Sequence, residues 1–377
     1  MSAPEKKQTC AKKEGRPAPL VHDDSTIRCV DFFCGVGGLS YGLQQAGINV
    51  IAGIDLDASC QYPYEANNGG KFIAGDIAKL NPSMVSNLLA GAHYTMLAGC
   101  APCQPFSSYS HAAKPSKDWV LLYAFGRLVK ECKPDFVTME NVPGIAKHKV
   151  YIDFLQTLRS EGYNIAVNEA LFCPDYGIPQ RRKRLVLLAS RIGAISFPKA
   201  THDKSNFITV RDAIGQLQQL GASQFSSDDP LHIAAGLTPL NLKRIRASKP
   251  GGTWRDWPKS LVAECHRKDS GITYPSVYGR MSWEFPSPTI TTQFYGFGNG
   301  RFGHPEQDRA ISLREGAILQ TFPIDYRFLK PGEAVQFVRL GKLIGNAVPV
   351  KLGEVAGQAI IEHARSVPKQ QHKVANG

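Results

Sequence analysis

The chain has 377 residues, more than one typical domain, which predicts a large domain accompanied by a smaller one. Hydrophobic residues make up 43% of the sequence and charged residues 20%, and this supply of apolar side chains excludes global disorder. The formal net charge of +12 favours a polyanionic partner, with a basic soluble enzyme that has no such partner as the alternative.

Residues 1–26 predict a flexible basic tail, because lysines and prolines are frequent there and apolar periodicity is lacking. No apolar run approaches the about 20 residues that a membrane helix needs, and the N-terminus lacks a signal-peptide apolar region. Nine cysteines, an odd number scattered along the chain, argue against a disulfide framework and for a reducing compartment. We therefore expect a soluble, cytoplasmic protein.

Residues 27–192 alternate short apolar segments with amphipathic stretches, a pattern typical of a parallel α/β sheet. We predict strands at 28–33, 49–54, 94–98, 135–140 and 184–189. We predict helices near 39–46, 58–67, 121–132 and 151–161. Because parallel strands end at one edge of their sheet, the residues that follow these strands should lie near each other.

The composition changes after about residue 192. Residues 241–301 show poor helix periodicity and carry ten Lys/Arg against four Asp/Glu, half of the net charge of the chain. Aromatic residues are interleaved with these charges: Trp254, Trp257, Tyr274, Tyr278, Trp283, Phe294 and Tyr295. This combination predicts a nucleic-acid surface, and a loosely folded β-rich insertion with solvated charges is the alternative. From about Val335 to His363 the helical pattern returns.

Three strand ends in the first half predict a bound nucleoside. The first strand runs into a glycine-rich turn at 35–38, whose backbone N–H groups suit an anionic group. The turn lacks the third glycine at dinucleotide spacing, which disfavours a nicotinamide cofactor. Asp55 ends the second strand and can accept both hydroxyls of a ribose, while Asp76 follows the next apolar segment. Surface helix caps are the alternative for these residues.

The only close pair of cysteines, Cys100 and Cys103, admits three interpretations. A structural zinc site would need a second pair at ligand spacing, and the sequence has none. A thioredoxin-like redox pair fits the Cys-Ala-Pro-Cys tetrapeptide. The third interpretation is one nucleophilic thiolate with an incidental neighbour. Glu140 ends the next predicted strand and should lie at the same sheet edge.

Five motifs together resemble the DNA cytosine-5 methyltransferases and occur in family order from about residue 28 to 350. They are PCQPFS at 102–107, ENV at 140–142, QRRKR at 180–184, RE at 314–315 with LQTFP at 319–323, and GNAVP at 345–349. The resemblance implies a Rossmann-like S-adenosylmethionine-dependent methyltransferase domain with a smaller, loop-rich β target-recognition domain. It divides the chain into a tail at 1–26, a catalytic and cofactor-binding domain at 27–192, a target-recognition domain at 193–330, a segment at 331–366 that returns to the catalytic domain, and a tail at 367–377.

The resemblance also implies catalytic roles. Carbon 5 of cytosine is a weak nucleophile, and a thiolate added at carbon 6 pushes electron density onto it. Cys103 would supply this thiolate, and Arg182 and Arg184 would favour its ionised form. Glu140 would form a hydrogen bond to ring nitrogen 3. A base, for which bound water is a candidate, would then remove the carbon 5 proton.

S-adenosylmethionine is the methyl donor that the resemblance implies, with no metal. Phe33, Gly35, Gly37 and Gly38 would line its methionine end. Asp55 followed by Leu56 would bind the ribose, Asp76 followed by Ile77 would bind the adenine, and the wall would be completed by Pro102, Leu121, Asn346 and Val348. Three departures from the family pattern occur: Leu56 replaces an aromatic residue, Cys100 replaces a glycine, and Asp118 and Trp119 precede Leu121 where an arginine is common.

The implied partner is duplex DNA, from which the cytosine must be flipped to reach the enzyme. The basic stretch would hold the duplex, with a framework at 278–292 and base contacts from Arg, Lys, Asn or Gln. A monomer that modifies a restriction site, with a cognate endonuclease and a nucleoid location in a prokaryote, is expected. The alternatives are the tRNA-methylating branch of the family and a catalytically idle DNA-binding relative, which should lose Cys103 or Glu140.

Overall fold

The computed structural model describes residues 27–102, 119–272, 274–275 and 277–367. The predicted N-terminal tail lies outside these ranges, as does the predicted C-terminal tail except for Val367. Cys103, the expected nucleophile, also lies outside the described residues.

A seven-stranded sheet forms the centre of the described structure, in the order β3-β2-β1-β4-β5-β8-β6. Its strands are β1 (Ile27–Phe32), β2 (Asn49–Asp55), β3 (Lys71–Ala74), β4 (Tyr94–Gly99), β5 (Phe136–Asn141), β6 (Asn164–Phe172) and β8 (Lys183–Ser190). The first five strands pair in parallel, whereas β8 is antiparallel to both β5 and β6. The chain order reverses at β1, which places a crevice at the carboxyl ends of β1 and β4, where ligands bind in such sheets.

The positions of all five expected strands are confirmed, each to within one or two residues. The parallel orientation expected for the strand at 184–189 is wrong, because β8 runs antiparallel to β5. The sequence pattern missed β6, an edge strand. Its residues mix Asn and Glu with apolar side chains and stay largely exposed or half-buried, so neither alternation nor a continuous apolar run is visible.

Helices cover both faces of the sheet. One face packs against α1 (Gly38–Gln45) and α12 (Val350–Ser366). The other face packs against α3 (Pro82–Leu89), α4 (Trp119–Cys132) and α5 (Lys149–Ser160), while α2 (Gln61–Asn67) flanks β3. The four helices predicted from sequence are therefore present as α1, α2, α4 and α5.

The segment 193–330 consists mainly of loops and short helices. The helices are α6 (Val210–Ile214), α7 (Pro239–Ala247), α8 (Glu264–Arg267), α9 (Asp269–Ile272) and α10 (Leu313–Leu319). Its expected β character is limited, within the described residues, to the two-residue β9 (Ser287–Pro288), which pairs with β7 (Gln180–Arg181), and to isolated bridges. The expectation of poor helicity from residue 241 missed α7, which Thr238 caps and Pro239 begins.

The last part of the chain returns to the sheet. Here α11 (Phe337–Asn346) leads into α12, and α12 lies against α1 on the first face of the sheet. Among the helices that the structure describes, none is long and apolar enough to cross a membrane.

Candidate active site

The turn after β1 brings the backbone close to two other parts of the chain. Gly37 has a φ of 92°, a left-handed conformation that favours glycine. A Cβ on Gly38 would lie 2.3 Å from the carbonyl oxygen of Val348, so only glycine lets α1 begin this close to that segment. The N–H of Gly35 donates a hydrogen bond of 2.9 Å to Oδ2 of Asp55, which fixes the turn against the end of β2.

A cleft of about 430 Å³ opens at the carboxyl ends of β1 to β4. Its lining consists of Phe33, Asp55, Leu56, Asp57, Gly75, Asp76, Ile77, Pro102, Leu121 and Lys342. Seven of the residues predicted to bind the cofactor are thus brought together here: Phe33, Asp55, Leu56, Asp76, Ile77, Pro102 and Leu121. Leu56 is 74% exposed at the rim, so its side chain forms a small part of the wall.

Five other predicted residues lie outside this lining. Gly35, Gly37 and Gly38 form the turn beneath it, and Asn346 lies exposed at the end of α11. Val348 is buried, and its side chain packs in the apolar core between the sheet, α1 and α12. Its carbonyl oxygen, rather than its side chain, faces the glycine turn.

Asp55 and Asp76 accept hydrogen bonds from nearby backbone N–H groups and can still accept hydrogen bonds from a ligand. Oδ1 of Asp55 accepts a hydrogen bond of 2.9 Å from the N–H of Asp57. Asp76 caps the turn that follows it, because its Oδ1 accepts from the N–H of Ala78 at 3.0 Å. The cap alternative is therefore correct for Asp76, yet the same carboxylate also lines the cleft. Each carboxylate oxygen has two lone pairs, so capping leaves acceptor capacity for a ligand.

Asp57 and Lys342 line the cleft, and neither was predicted from the sequence. Lys342 of α11 forms an ion pair of 3.3 Å with Asp57 across the rim. The hydrogen bond from Ser59 is the main cause that lowers the pKa of Asp57, and Lys342 lowers it further. Asp57 could have been suspected from its place two residues after Asp55, whereas no local signal links Lys342 to this edge.

The chemistry of this cleft fits the adenosine part of S-adenosylmethionine. Two carboxylates, from Asp55 and Asp76, supply acceptors for hydroxyl and amino groups. Apolar side chains from Phe33, Ile77 and Pro102 supply walls for a flat base. The described residues contain no group of three or more His, Cys, Asp or Glu that could hold a metal ion.

Glu140 is buried at the end of β5, with 5% of its surface exposed. Nε of Arg184 lies 2.7 Å from its Oε1, and the thiol of Cys100 donates a hydrogen bond of 2.8 Å to its Oε2. The strand order explains why these three side chains are in contact, because β5 has β4 as one neighbour and β8 as the other. Cys100 follows β4, and Arg184 is the second residue of β8.

Arg182 lies beneath this ion pair and is also buried. Its Nη1 approaches Oε1 of Gln180 and the carbonyl of Ile290, each at 3.4 Å. Burial, followed by the charge of Arg184, lowers the pKa of Arg182 to about 10, so the guanidinium stays charged at neutral pH. The structure therefore brings Glu140, Arg182 and Arg184 together, while Cys103 lies outside the described residues.

Most aromatic residues of the basic stretch pack into hydrophobic clusters, and among those named from the sequence Tyr274 is exposed. Trp254 and Trp257 are buried against Ile245 and Phe297, and Phe294 is fully buried in the neighbouring cluster. The described part of this segment has almost no sheet, so these rings supply its core. Of its cations, Arg280 is buried in hydrogen bonds to backbone carbonyls. The exposed ones are Lys243, Arg246, Lys249, Arg255, Lys259, Arg267 and Lys268.

Comparison with known proteins identifies the family. The family model described as C-5 cytosine-specific DNA methylase matches residues 27–362. The Type II methylase M.HgiDII of Herpetosiphon aurantiacus is 48% identical over 345 residues, which cover 91% of this chain and 97% of that protein. The Type II methyltransferase M.PspPI of a Psychrobacter strain is 31% identical over 362 residues, with 93% and 82% covered. The chain therefore belongs to the C-5 cytosine-specific DNA methylase family.

A solved structure supports the same fold. A putative DNA modification methyltransferase encoded within an E. coli prophage superposes with a TM-score of 0.68 at 21% identity, covering 89% of this chain and 99% of that one. The predicted resemblance and the Rossmann-like α/β fold are thus confirmed. The protein is an enzyme, a DNA (cytosine-5-)-methyltransferase of an S-adenosylmethionine-dependent family that acts on DNA.

Proposed function

We propose that this enzyme transfers a methyl group from S-adenosylmethionine to carbon 5 of a cytosine flipped out of a specific duplex DNA sequence. The observation that supports this most is the buried Glu140 carboxylate, paired with Arg184 at the sheet edge that also holds a nucleoside-sized cleft. A buried carboxylate beside a cation is suited to recognise the polar edge of a pyrimidine and to act on its ring nitrogen.

Cys103 is the proposed nucleophile, and this assignment rests on the sequence motif alone. Its thiolate adds to carbon 6 of the cytosine, and the ring electrons move towards carbon 5. Glu140 takes up a proton from solvent when the base binds, and it then shares this proton with, or donates it to, ring nitrogen 3, where negative charge develops. After carbon 5 has been methylated, a base removes its proton, and bound water is our candidate. The bond between sulfur and carbon 6 then breaks and the aromatic ring is restored.

The two arginines have different proposed tasks. Arg184 pairs with Glu140 and keeps its carboxylate turned towards the site. Arg182 contributes a buried positive charge close to that pair. Positive charge favours a thiolate over a thiol, so both side chains would assist ionisation of the nucleophile.

S-adenosylmethionine supplies an electrophilic methyl group when it is bound. We propose that Asp55, with Leu56 at the rim, accepts the ribose hydroxyls and that Asp76, with Ile77, recognises the adenine. Phe33, Pro102 and Leu121 form apolar walls. The turn at Gly35, Gly37 and Gly38 would bind the methionine end, with Asn346 and the backbone of Val348 completing the wall. This chemistry requires no metal.

Target recognition is proposed for residues 193–330, separate from the catalytic domain at 27–192 and the returning segment at 331–366. The exposed lysines and arginines of 241–301 would bind phosphates and stabilise the distorted duplex. The names of the relatives support a Type II modification methylase that protects the site of a cognate restriction endonuclease. A monomer is proposed, because one chain carries the catalytic, cofactor and target-recognition motifs.

Methylation of plasmid DNA in vitro, mapped at base resolution, tests this function. We expect 5-methylcytosine at one short sequence only, and none with Cys103→Ser, which should still bind S-adenosylmethionine. A parallel reaction with tRNA should show no transfer. Transfer to tRNA but not to duplex DNA would contradict the proposed substrate, and substantial turnover by Cys103→Ser would contradict the proposed nucleophile.

A further inference from the structure

The carboxylate of Glu140 is held at both of its oxygens by protein groups. Arg184 faces Oε1 at 2.7 Å, and the thiol of Cys100 donates to Oε2 at 2.8 Å. The terminal torsion of a glutamate is broad, so a single ion pair leaves its carboxylate free to turn. A hydrogen bond to the other oxygen, in addition to the ion pair, fixes the plane of the group.

The backbone around Cys100 keeps its thiol in this place. The strands β4 and β5 pair in parallel with Gly99 beside Met139, so the residue after Gly99 lies beside Glu140. The N–H of Cys100 donates to the carbonyl of Phe32 at 3.4 Å. The side-chain amide of Asn141 donates to the carbonyl of Ala101 at 3.1 Å, which ties the turn after β4 to the end of β5. The thiol is therefore positioned by the sheet itself.

We propose that Cys100 is a positioning residue for methyl transfer, which orients the carboxylate of Glu140 towards the flipped base through its S–H group. The proposal rests on the proposed function, in which Glu140 meets ring nitrogen 3. A thiol is a weak donor, but its acceptor here is a buried carboxylate, and hydrogen bonds to charged groups are the stronger ones. Groups aligned before the substrate binds need no rearrangement during the reaction.

Substitution of Cys100 by serine and by alanine distinguishes the effect of the hydrogen-bond donor from the effect of side-chain volume. Both new side chains are small, and only serine has a donor. In single-turnover assays with a reducing agent, we expect Cys100→Ala to lower the rate of methyl transfer to duplex DNA about tenfold. Cys100→Ser should stay within about threefold of the wild type. The affinity for S-adenosylmethionine should be unchanged in both variants, since Cys100 is not among the residues that line the described cleft.

Cys132 offers a matched control. It is half-buried like Cys100, but its thiol donates to the carbonyl of Pro82 at 3.6 Å, away from Glu140. The pair Cys132→Ala and Cys132→Ser should leave the rate unchanged. Equal rates for Cys100→Ala and Cys100→Ser, whether both high or both low, would overturn the positioning role. A wild-type protein that methylates no DNA would instead refute the proposed function.

Infrared spectroscopy of the thiol tests the contact even if Cys100→Ala does not fold. The S–H stretching band that disappears in Cys100→Ser should lie at lower frequency than the band of Cys132, because its acceptor is charged. It should move to higher frequency in Glu140→Gln. A band that does not respond to Glu140→Gln would show that the thiol does not hold this carboxylate and would overturn the proposal.

Discussion

Two aspartates on neighbouring strands show how position decides what a carboxylate can do. Asp55 ends β2 at the cleft, and backbone N–H groups of Gly35 and Asp57 hold its two oxygens. Asp31 lies on β1 and is fully buried, with Ser40 as donor to one oxygen and no hydrogen-bond partner for Oδ1 among the described groups. The first carboxylate can receive a ligand, whereas the second acts on the stability of the fold.

We expect Asp55→Asn to weaken the binding of S-adenosylmethionine about 10- to 100-fold, because a charged acceptor for two hydroxyls is removed. Isothermal titration of the DNA-free enzyme measures this affinity. Asp57→Asn is the matched control and should change this affinity much less. Asp57 lies at the same cleft, but it mainly caps its own turn. An unchanged affinity in Asp55→Asn would refute the proposed ribose site.

Because Asp31 is buried, we expect the stability of the protein to depend on pH. Burial, opposed by the hydrogen bond from Ser40, raises the pKa of Asp31 from 3.8 to about 7. Between about pH 4 and 7 the folded protein therefore keeps a proton that the unfolded chain has lost. The free energy of unfolding should fall as pH rises through this window and level off above it.

The comparison with Asp31→Asn isolates this contribution, because asparagine does not ionise. Between pH 5 and 7 the wild type should lose about 2 to 3 kcal/mol of unfolding free energy relative to the variant. Urea unfolding at several pH values measures the difference, and Asp269→Asn, at an exposed site, should behave as the wild type. Parallel pH curves for the wild type and Asp31→Asn would contradict the buried protonated state.

At the level of the elements, α1 and α12 pack at unusually close range. A Cβ on Gly42 would lie 2.1 Å from the carbonyl oxygen of Val350 and 2.6 Å from the N–H nitrogen of Glu354. Alanine favours a helix more than glycine does, by about 1 kcal/mol, so the sign of a substitution here depends on packing. Backbone atoms cannot move aside as a flexible side chain can.

We expect Gly42→Ala to destabilise the protein by about 1 to 3 kcal/mol in spite of its helix propensity, because α12 must shift away from α1. Chemical unfolding measures the change. Gly69→Ala is the control, since the nearest atom to its Cβ would be the side-chain nitrogen of Gln44 at 3.9 Å. A neutral or stabilising Gly42→Ala would show that the two helices separate easily.

The elements that the sequence predicted well are those whose signals are local. Parallel strands end at one edge, so Asp55, Asp76 and Pro102 could be assigned to one site from their places after strands. Lys342 could not, because it lies 285 residues from its partner Asp57 and only the packing of α11 brings the two together. The edge strand β6 was not predicted for a different reason: its sequence mixes polar and apolar residues without a clear period.

The basic stretch, residues 241–301, shows what amino-acid composition alone cannot predict. Its aromatic residues and cations predict a nucleic-acid surface, but composition does not say which side chains face solvent. The described part of the stretch has only short helices and a two-residue strand, so there is no period from which to assign the buried and exposed faces. The structure turns Trp254 and Trp257 inward and leaves Lys243, Lys249 and Lys259 outside.

For the whole molecule, the surplus of positive charge should act in DNA binding. Each phosphate that a cation neutralises releases counterions, and the logarithm of the affinity then falls with the logarithm of the salt concentration. Replacing Lys243, Lys249 and Lys259 by glutamine should reduce this slope by about one unit for each phosphate that is no longer neutralised. Fluorescence anisotropy with a duplex oligonucleotide at several salt concentrations measures the slope.

Three exposed lysines of the catalytic domain provide a control of equal charge: Lys71, Lys130 and Lys133. Their replacement by glutamine should change the slope much less, because they lie outside the proposed DNA-binding stretch. Equal slopes for both triple variants would mean that the effect is one of net charge alone and that residues 241–301 do not face the duplex.

The most direct test is to trap the covalent intermediate. A duplex oligonucleotide with 5-fluorocytosine at the target position blocks the final loss of the carbon 5 substituent, so the adduct should survive denaturing electrophoresis when the methyl donor is present. We predict that mass spectrometry locates the adduct at Cys103, that Cys103→Ser abolishes it, and that Cys265→Ser, at an exposed cysteine, retains it. An adduct at another residue, or none with an enzyme that methylates the unsubstituted duplex, would contradict the proposed chemistry.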